Sequence, residues 1–252
     1  MNTKKRTRIV ILAAGKGNRM KSQGPKVLAK VGGIPMIERL LTAVEKAGID
    51  DNPVIVVGFK KEMLIEALGR DKYHYIIQDK QLGTGHAVKL TKDYLKNRAE
   101  NVLVLFGDHP LVKTKTIQKI NEQHLRSDKK IMMATVKLPN FNDWRICFKN
   151  FSRITRDKDG KIVKDTQYKD ATEEEKKITE VNPGYYSFNA TWLWSRLEQL
   201  NNNNSQEEYY LTDLLQIATS KGLEIGSIEI EPHEALGANT KEELEILERF
   251  AV

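Results

Sequence analysis

The strongest constraint in this 252-residue sequence is an alternation of short β-branched runs with amphipathic stretches, repeated four times before residue 126. Residues 8–12 form a short β-branched run that ends in Ala13-Ala14-Gly15-Lys16-Gly17, which reads as a buried strand entering a glycine-bearing loop. Residues 36–47 carry apolar side chains at helical spacing and stop at Gly48, a residue suited to the left-handed turn that ends helices. Strands over 54–57, 75–77 and 102–106 and helices over 61–68, 84–95 and 114–125 continue the pattern. Continuous apolar strands separated by helices predict a parallel sheet covered on both faces.

Beyond the apolar run at 131–136 the pattern changes. Asp159-Gly160 sits between two strand-like runs within 153–167, a hairpin signal, and 181–188 reads as one further strand. Helices are expected over 192–200, 211–219 and 241–250, with a strand over 225–230. No Pro/Gly/Ser-rich linker divides the chain, so a single domain over residues 1–252 is expected, its halves being 1–130 and 131–252.

Composition narrows the partners. With 40% hydrophobic and 30% charged residues the chain is not a disordered one. Its apolar runs are too short to cross a bilayer and its N-terminus lacks a signal-peptide pattern, so no membrane association and a cytoplasmic location are expected. A lone Cys147 makes no internal disulfide and fits a reducing compartment. The formal charge is +7, from 41 Lys and Arg against 34 Asp and Glu. Apart from Lys4-Lys5-Arg6 the basic residues are interleaved with acidic ones and no aromatics are spaced for base stacking, which argues for anionic small molecules or plain solubility over nucleic acid.

Three strand ends carry chemistry. The first loop lacks the third glycine of a dinucleotide fingerprint and the Gly-Lys-Ser/Thr ending of a P-loop. What it has is two glycines with Lys16 and Arg19, followed by Pro25-Lys26, at the carboxyl end of a strand where open α/β sheets bind ligands. Such a loop can cradle phosphate, or be an ordinary turn with solvated charges. Phe106-Gly107-Asp108 ends the most apolar strand, and a carboxylate there can hold Mg²⁺ beside phosphates or simply begin a turn. Gln78 and Gln81-Leu82-Gly83-Thr84-Gly85 offer amides that could read a base edge. The five histidines, His74, His86, His109, His124 and His233, have no metal-ligand spacing and read as structural.

These residues resemble a known family. Leu12-Ala13-Ala14-Gly15-Lys16-Gly17-Asn18-Arg19-Met20 with Pro25-Lys26-Val27-Leu28, Gln81-Leu82-Gly83-Thr84-Gly85-His86, Gly107-Asp108, Lys169-Asp170-Ala171-Thr172 and Glu208-Tyr209-Tyr210-Leu211-Thr212-Asp213 are similar to the sugar-phosphate nucleotidyltransferases, and among them to the uridylyltransferase domain of the bacterial N-acetylglucosamine-1-phosphate uridylyltransferases. The resemblance implies an α/β fold, a Rossmann-like and mostly parallel sheet with a smaller α+β substrate lobe. It implies transfer of UMP from UTP to a sugar-1-phosphate with Mg²⁺ as cofactor, in cell-wall precursor synthesis. Leu12, Ala13, Ala14, Gly15, Lys26, Gln78, Gly83, Thr84, Phe106 and Gly107 would then hold the nucleotide. Arg19, Lys26 and Asp108 would be catalytic, Asp108 and Asn239 would bind the metal, and Ser152, Gln167, Asn182 and Asn239 would meet the sugar.

Three positions depart from the family pattern: Asn18 replaces Thr or Ser, Ser152 replaces a glycine, and Gln167 replaces a sugar-binding glutamate. The last two alter the sugar pocket and leave the nucleotide half untouched. Residues 144–150 look like an insertion, and no hexapeptide β-helix follows, so acetyltransferase chemistry is not expected. Two other readings stay open: a nucleotidyltransferase for another sugar or nucleotide, and a non-catalytic sugar-nucleotide sensor.

Overall fold

The computed structural model describes residues 6–17 and 24–251. Strands β1 (Thr7–Ala13), β4 (Val54–Val57), β5 (His74–Ile77) and β6 (Asn101–Phe106) pair in parallel in the order β5-β4-β1-β6, with β1 wholly buried. A small hairpin of β2 (Lys30–Val31) and β3 (Ile34–Pro35) follows the first loop. The sheet sorts its own side chains. Ile9, Ile11, Ile55, Val57, Leu103 and Leu105 join one core, while Val10, Leu12, Val54, Val56, Val102 and Val104 join the other. The continuous apolar runs of β1, β4 and β6 therefore feed two cores, as strand alternation requires.

The helices α1 (Met36–Ala47), α2 (Lys61–Leu68) and α5 (Thr114–Leu125) match the expected spans. α1 ends at Gly48 with φ of 63° and buries Ile37, Leu40, Leu41 and Val44. The helix expected over 84–95 is instead two, α3 (Thr84–Lys89) and α4 (Lys92–Leu95). At the break the buried Thr91 hydroxyl donates to Val88 O at 2.7 Å, a local hydrogen bond that competes with the helix ladder.

The second half extends the same sheet. β7 (Ile131–Lys137) pairs on one side with β12 (Gly226–Glu229) in parallel and on the other with β10 (Glu180–Asn182) and β11 (Tyr186–Asn189), both antiparallel. β11 also pairs with β6 and so joins the halves. β8 (Ser152–Arg156) and β9 (Ile162–Thr166) form the expected hairpin beyond β10. The single strand expected over 181–188 is thus split. Pro183 has no N–H to donate, and Gly184 turns at φ of 87° against the Phe106 ring, where a Cβ would stand 2.5 Å from Cε2. The remaining helices are α6 (Glu173–Lys176), α7 (Ala190–Arg196), α8 (Asp213–Thr219) and α9 (Lys241–Glu248). α7 is shorter than expected, its last turn winding into a 3-10 turn over Leu197–Gln199.

The stretch read as an insertion is a 3-10 turn, Asp143–Phe148, that buries Phe148 and sets Trp144 4.9 Å from the Phe250 ring. Arg153, fully buried, fastens it by donating to Lys149 O and Phe151 O. Among the described residues no helix is long and apolar enough to cross a membrane.

The far end of the sheet rests on a buried ion pair. Asp50 Oδ2 accepts from Arg8 Nε at 2.9 Å and from Ile9 N at 2.8 Å, with both side chains under 7% exposed. Removing one partner strands the other's charge. Asp50→Ala is expected to cost about 3 kcal/mol in urea unfolding, and Arg8→Met added to it to recover most of that loss. Equal stability of Asp50→Ala and the native chain would contradict the pairing.

Candidate active site

Three segments far apart in sequence meet at one ammonium group. Lys26 opens a 3-10 turn (Lys26–Leu28) set by Pro25, and its Nζ donates to Asp108 Oδ2 at 2.6 Å and to Asn239 Oδ1 at 2.7 Å. Asp108 lies just past the end of β6, beside the end of β1: Gly107 N donates to Leu12 O at 2.9 Å, and a Cβ on Gly107 would stand 3.3 Å from Ala13 Cβ. Burial pushes the Asp108 carboxyl up, but the Lys26 ammonium, through its charge and its hydrogen bond, outweighs it and holds the group below its usual range. Asn239 precedes α9, where its N–H donates to Glu243 Oε2 at 2.6 Å and Thr240 Oγ1 caps the helix by accepting from Glu243 N.

His109 keeps that loop in place. The Tyr185 hydroxyl donates to Glu234 O at 2.9 Å, so toward His109 Nδ1, also 2.9 Å away, it can only accept. His109 therefore carries its proton on Nδ1, and burial, the largest influence, keeps it neutral by lowering its pKa. Gly237 lies flat on the imidazole, with room for no Cβ: one would stand 2.6 Å from Cδ2. Glu234 itself is buried and accepts from Lys113 N and from Thr116 Oγ1.

Beside this corner is a cavity of about 300 Å³ lined by Leu12, Ala13, Ala14, Gly15, Lys26, Gln78, Gln81, Gly83, Thr84, Phe106, Asp108, Glu208 and Asn239. One amide in its wall is that of Gln78, whose Nε2 donates to Gly83 O at 3.0 Å and to His86 Nδ1 at 3.1 Å. Both amide protons are spent, leaving Oε1 as an acceptor. His86, kept neutral chiefly by burial, serves as the acceptor that orients this amide. The glycine loop is held from the second half of the chain, as Gly85 N donates to Tyr209 O and Tyr209 N to Leu82 O.

A second cavity of about 240 Å³ lies next to the first and is lined by Ser152, Gln167, Asn182, Pro183, Gly184, Tyr186, Gln206, Tyr210 and Thr212, among others. Thr84, Phe106 and Glu208 line both cavities. An open groove leads outward from the first past Gly15, Lys16, Gly17, Lys80 and Gln81.

Of the residues expected to hold a nucleotide, all but Gly107 line the first cavity. Gly107 instead packs beneath it, its lack of a side chain letting the ends of β1 and β6 approach. Of the four expected at a sugar, Ser152, Gln167 and Asn182 line the second cavity. Asn239 does not; its amide is drawn to the Lys26 ammonium in the first. Arg19 lies outside the described residues. Glu208, shared by both cavities, was not among the expected residues, although it lies in the Glu208-Tyr209-Tyr210 stretch quoted for the resemblance.

Gly83 has φ of 100°, and a Cβ there would stand 2.7 Å from Tyr209 O and 2.8 Å from Tyr209 N. Gly160, in the β8-β9 turn, has φ of 78° but open space around it. Both substitutions by Ala bear backbone strain, and Gly83→Ala also forces two backbones apart, so it is expected to lose about 2 kcal/mol more than Gly160→Ala in chemical unfolding. Equal losses would show that the contact with Tyr209 matters little.

Known proteins fit this arrangement. Residues 9–207 match the MobA-like NTP transferase domain family. The chain is 43% identical over 236 residues to the bifunctional protein GlmU of Acetivibrio thermocellus and 40% identical over 236 residues to that of Clostridioides difficile, in each case across 93% of this chain and 49% of the relative. It thus spans about half the length of the curated relatives it matches. A crystal structure of a Bacillus anthracis protein described as a glucose-1-phosphate thymidylyltransferase superposes with a TM-score of 0.77 at 19% identity, over 97% of this chain and 95% of that one. HddC of Yersinia pseudotuberculosis superposes with a TM-score of 0.68 at 19% identity, over 96% and 99%. At that identity the structures speak for the fold, an α/β sheet of this type. The family match begins in β1 and runs through most of the strands and loops around both cavities, stopping just before Glu208, and the chain accordingly belongs to the MobA-like NTP transferase domain family.

Proposed function

We propose that the chain transfers UMP from UTP to a sugar-1-phosphate, N-acetylglucosamine-1-phosphate in the first instance, with release of pyrophosphate. The observation that carries this reading is the junction of two cavities at Thr84, Phe106 and Glu208, with the Lys26-Asp108-Asn239 corner on the wall of the first. A nucleotide and a sugar phosphate placed in adjoining cavities bring an attacking oxygen to the α-phosphorus, and proximity is most of what this reaction needs.

Gln78 supports the choice of base. Its free Oε1 accepts, which suits the N3–H of uracil or thymine and not the acceptor nitrogen at the same edge of cytosine or adenine. The groove past Lys16 and Lys80 suits the β- and γ-phosphates. In the reaction a bond forms between the sugar-phosphate oxygen and the α-phosphorus, and the bond from that phosphorus to the bridging oxygen breaks, the electron pair leaving with pyrophosphate. Lys26 supplies positive charge where negative charge builds, and the adjoining cavity walls hold the attacking group in line. The donor set also suits Mg²⁺: Asp108 and Asn239 present two hard oxygens that converge on one cation, here the Lys26 ammonium. Among the described residues no cluster of three or more His, Cys, Asp or Glu is arranged to hold a metal, in keeping with an ion that takes its other ligands from phosphates and water. When bound, Mg²⁺ would neutralise charge on the phosphoryl oxygens.

The test is pyrophosphate release with Mg²⁺ across UTP, dTTP, CTP, ATP and GTP against N-acetylglucosamine-, glucosamine- and glucose-1-phosphate. Release is expected with UTP and N-acetylglucosamine-1-phosphate, and silence from every pair would overturn the reading. Asp108→Ala is expected to lower kcat by about 10³-fold or more in a chain that still folds, with a melting temperature several degrees lower because the Lys26 ammonium loses its partner. Magnesium-dependent turnover retained in that variant would remove Asp108 from its role.

A further inference from the structure

Three strands of the second half turn one face toward the second cavity. Asn182 pairs with Ser152 and Asp165 with Ile154, so strand alternation puts Ser152, Asn182 and Asp165, with Gln167 two residues on, on the same face. Ser152, Gln167 and Asn182 form cavity wall; Asp165 lies behind them. No motif marks Asp165, and neither the expected site nor the mechanism above uses it.

The hydrogen bonds around it are directional. Asn182 Nδ2 donates to Asp165 Oδ2 and to the Tyr186 hydroxyl, while Asn182 Oδ1 accepts the Gly184 N–H at 2.8 Å. Both amide protons are therefore spent inside the protein. An ionised carboxylate only accepts and a backbone N–H only donates, so the two together fix which way the amide faces. What Asn182 retains for a ligand is the second lone pair of Oδ1. Gln167 differs, since its Nε2 donates one proton to Thr212 Oγ1 at 3.0 Å and keeps both its second N–H and its Oε1.

Building on the reading of this cavity as the sugar-phosphate site, we propose that Asp165 is its positioning residue: it locks the Asn182 amide so that Oδ1 faces the pocket as an acceptor and selects a sugar edge that bears a hydrogen-bond donor there. A carboxylate in this place does through Asn182 what a carboxylate at 167, where this chain has Gln, would do by touching the sugar.

The lock is adjustable by pH. Burial raises the Asp165 carboxyl from its ordinary 3.8 to about 7, against the hydrogen bonds of Ser152 and Asn182 and helped by the charge of Asp213. The groups that face it are Ser152 on β8, Asn182 on β10, Tyr186 on β11 and Asp213 on α8; Asp213 is itself raised to about 6, by burial and by Asp170. Asp165 Oδ1 is buried without a hydrogen-bond partner, and among the described residues no Lys or Arg pairs with this carboxyl. Below about pH 7 the group is neutral and holds Nδ2 as a weak acceptor. Above it, the bond becomes charge-assisted and the amide is held more firmly.

The experiment compares the native chain and Asp165→Asn with Mg²⁺, UTP and the sugar-1-phosphate between pH 5.5 and 8.5. The variant is expected to raise KM for the sugar phosphate about tenfold at pH 8.5 and about two- to threefold at pH 5.5, with KM for UTP and kcat within about threefold. The ratio of variant to native cancels the ionisation of the substrate's own phosphate. A ratio near one at every pH overturns the proposal. A native chain that turns over no sugar phosphate fails the functional reading instead, and a measurement on the free protein still decides the lock: the Asn182 side-chain amide resonances are expected to shift with a midpoint near pH 7 in the native chain and not in Asp165→Asn. Resonances that ignore both pH and the substitution overturn it.

Discussion

One ammonium group organises the centre of this molecule. Lys26 Nζ is held by Asp108, 82 residues later, and by Asn239, 213 residues later. The pair is nearly dry, with side chains 14% and 10% exposed, so neither charge is well served by water and each needs the other in place. Most of the surrounding fold acts to bring those three positions together. β1 and β6 run side by side, Gly107 lets their ends touch, and the Pro25 turn aims Lys26 back at them. His109, Tyr185 and Glu234 form a hydrogen-bonded prop that carries the loop before α9, and Asn239 with it, to the same place.

The sheet supplies the rigid frame for this convergence. Its central strands are apolar on both faces and send alternate residues into two cores, so a slip of one residue in β1 would exchange every side chain between them. Register is fixed there more firmly than any hydrogen bond at the site could fix it. The loops at the strand ends inherit that precision, which is why cavity walls made largely of small residues and backbone can still have a defined shape.

Much of this was legible from residue pattern. The four alternations gave the parallel half because continuous apolar strands have few other uses, and α1, α2 and α5 fell on their expected residues, α1 with Gly48 marking its end. The misses have local causes. The helix expected over 84–95 breaks at Thr91, whose hydroxyl finds a carbonyl of its own, and the strand expected over 181–188 breaks at Pro183-Gly184, where a ring from β6 takes the space. Both cavities were approached through motif residues, and the positions that escaped were of another kind. Glu208 reaches both cavities because its neighbour Tyr209 is bonded to a loop 124 residues earlier, and Asp165 acquires its role from partners on β8, β10 and α8. Strand pairing and loop docking decide such positions, and nothing local in the chain encodes them.

The contact between Tyr209 and the Gly83-Gly85 loop bears on how the protein is made as well as on what it does. The loop belongs to the half that leaves the ribosome first, yet the backbone that braces it comes off more than a hundred residues later, and Asn239 later still. During synthesis the parallel sheet can assemble while the first cavity lacks one wall and Lys26 lacks one of its two partners. Such long-range closures are the slow part of folding a chain of this topology. The first cavity is therefore a late product of folding, and a nascent chain in the cell passes through a period with its framework built and that cavity still open.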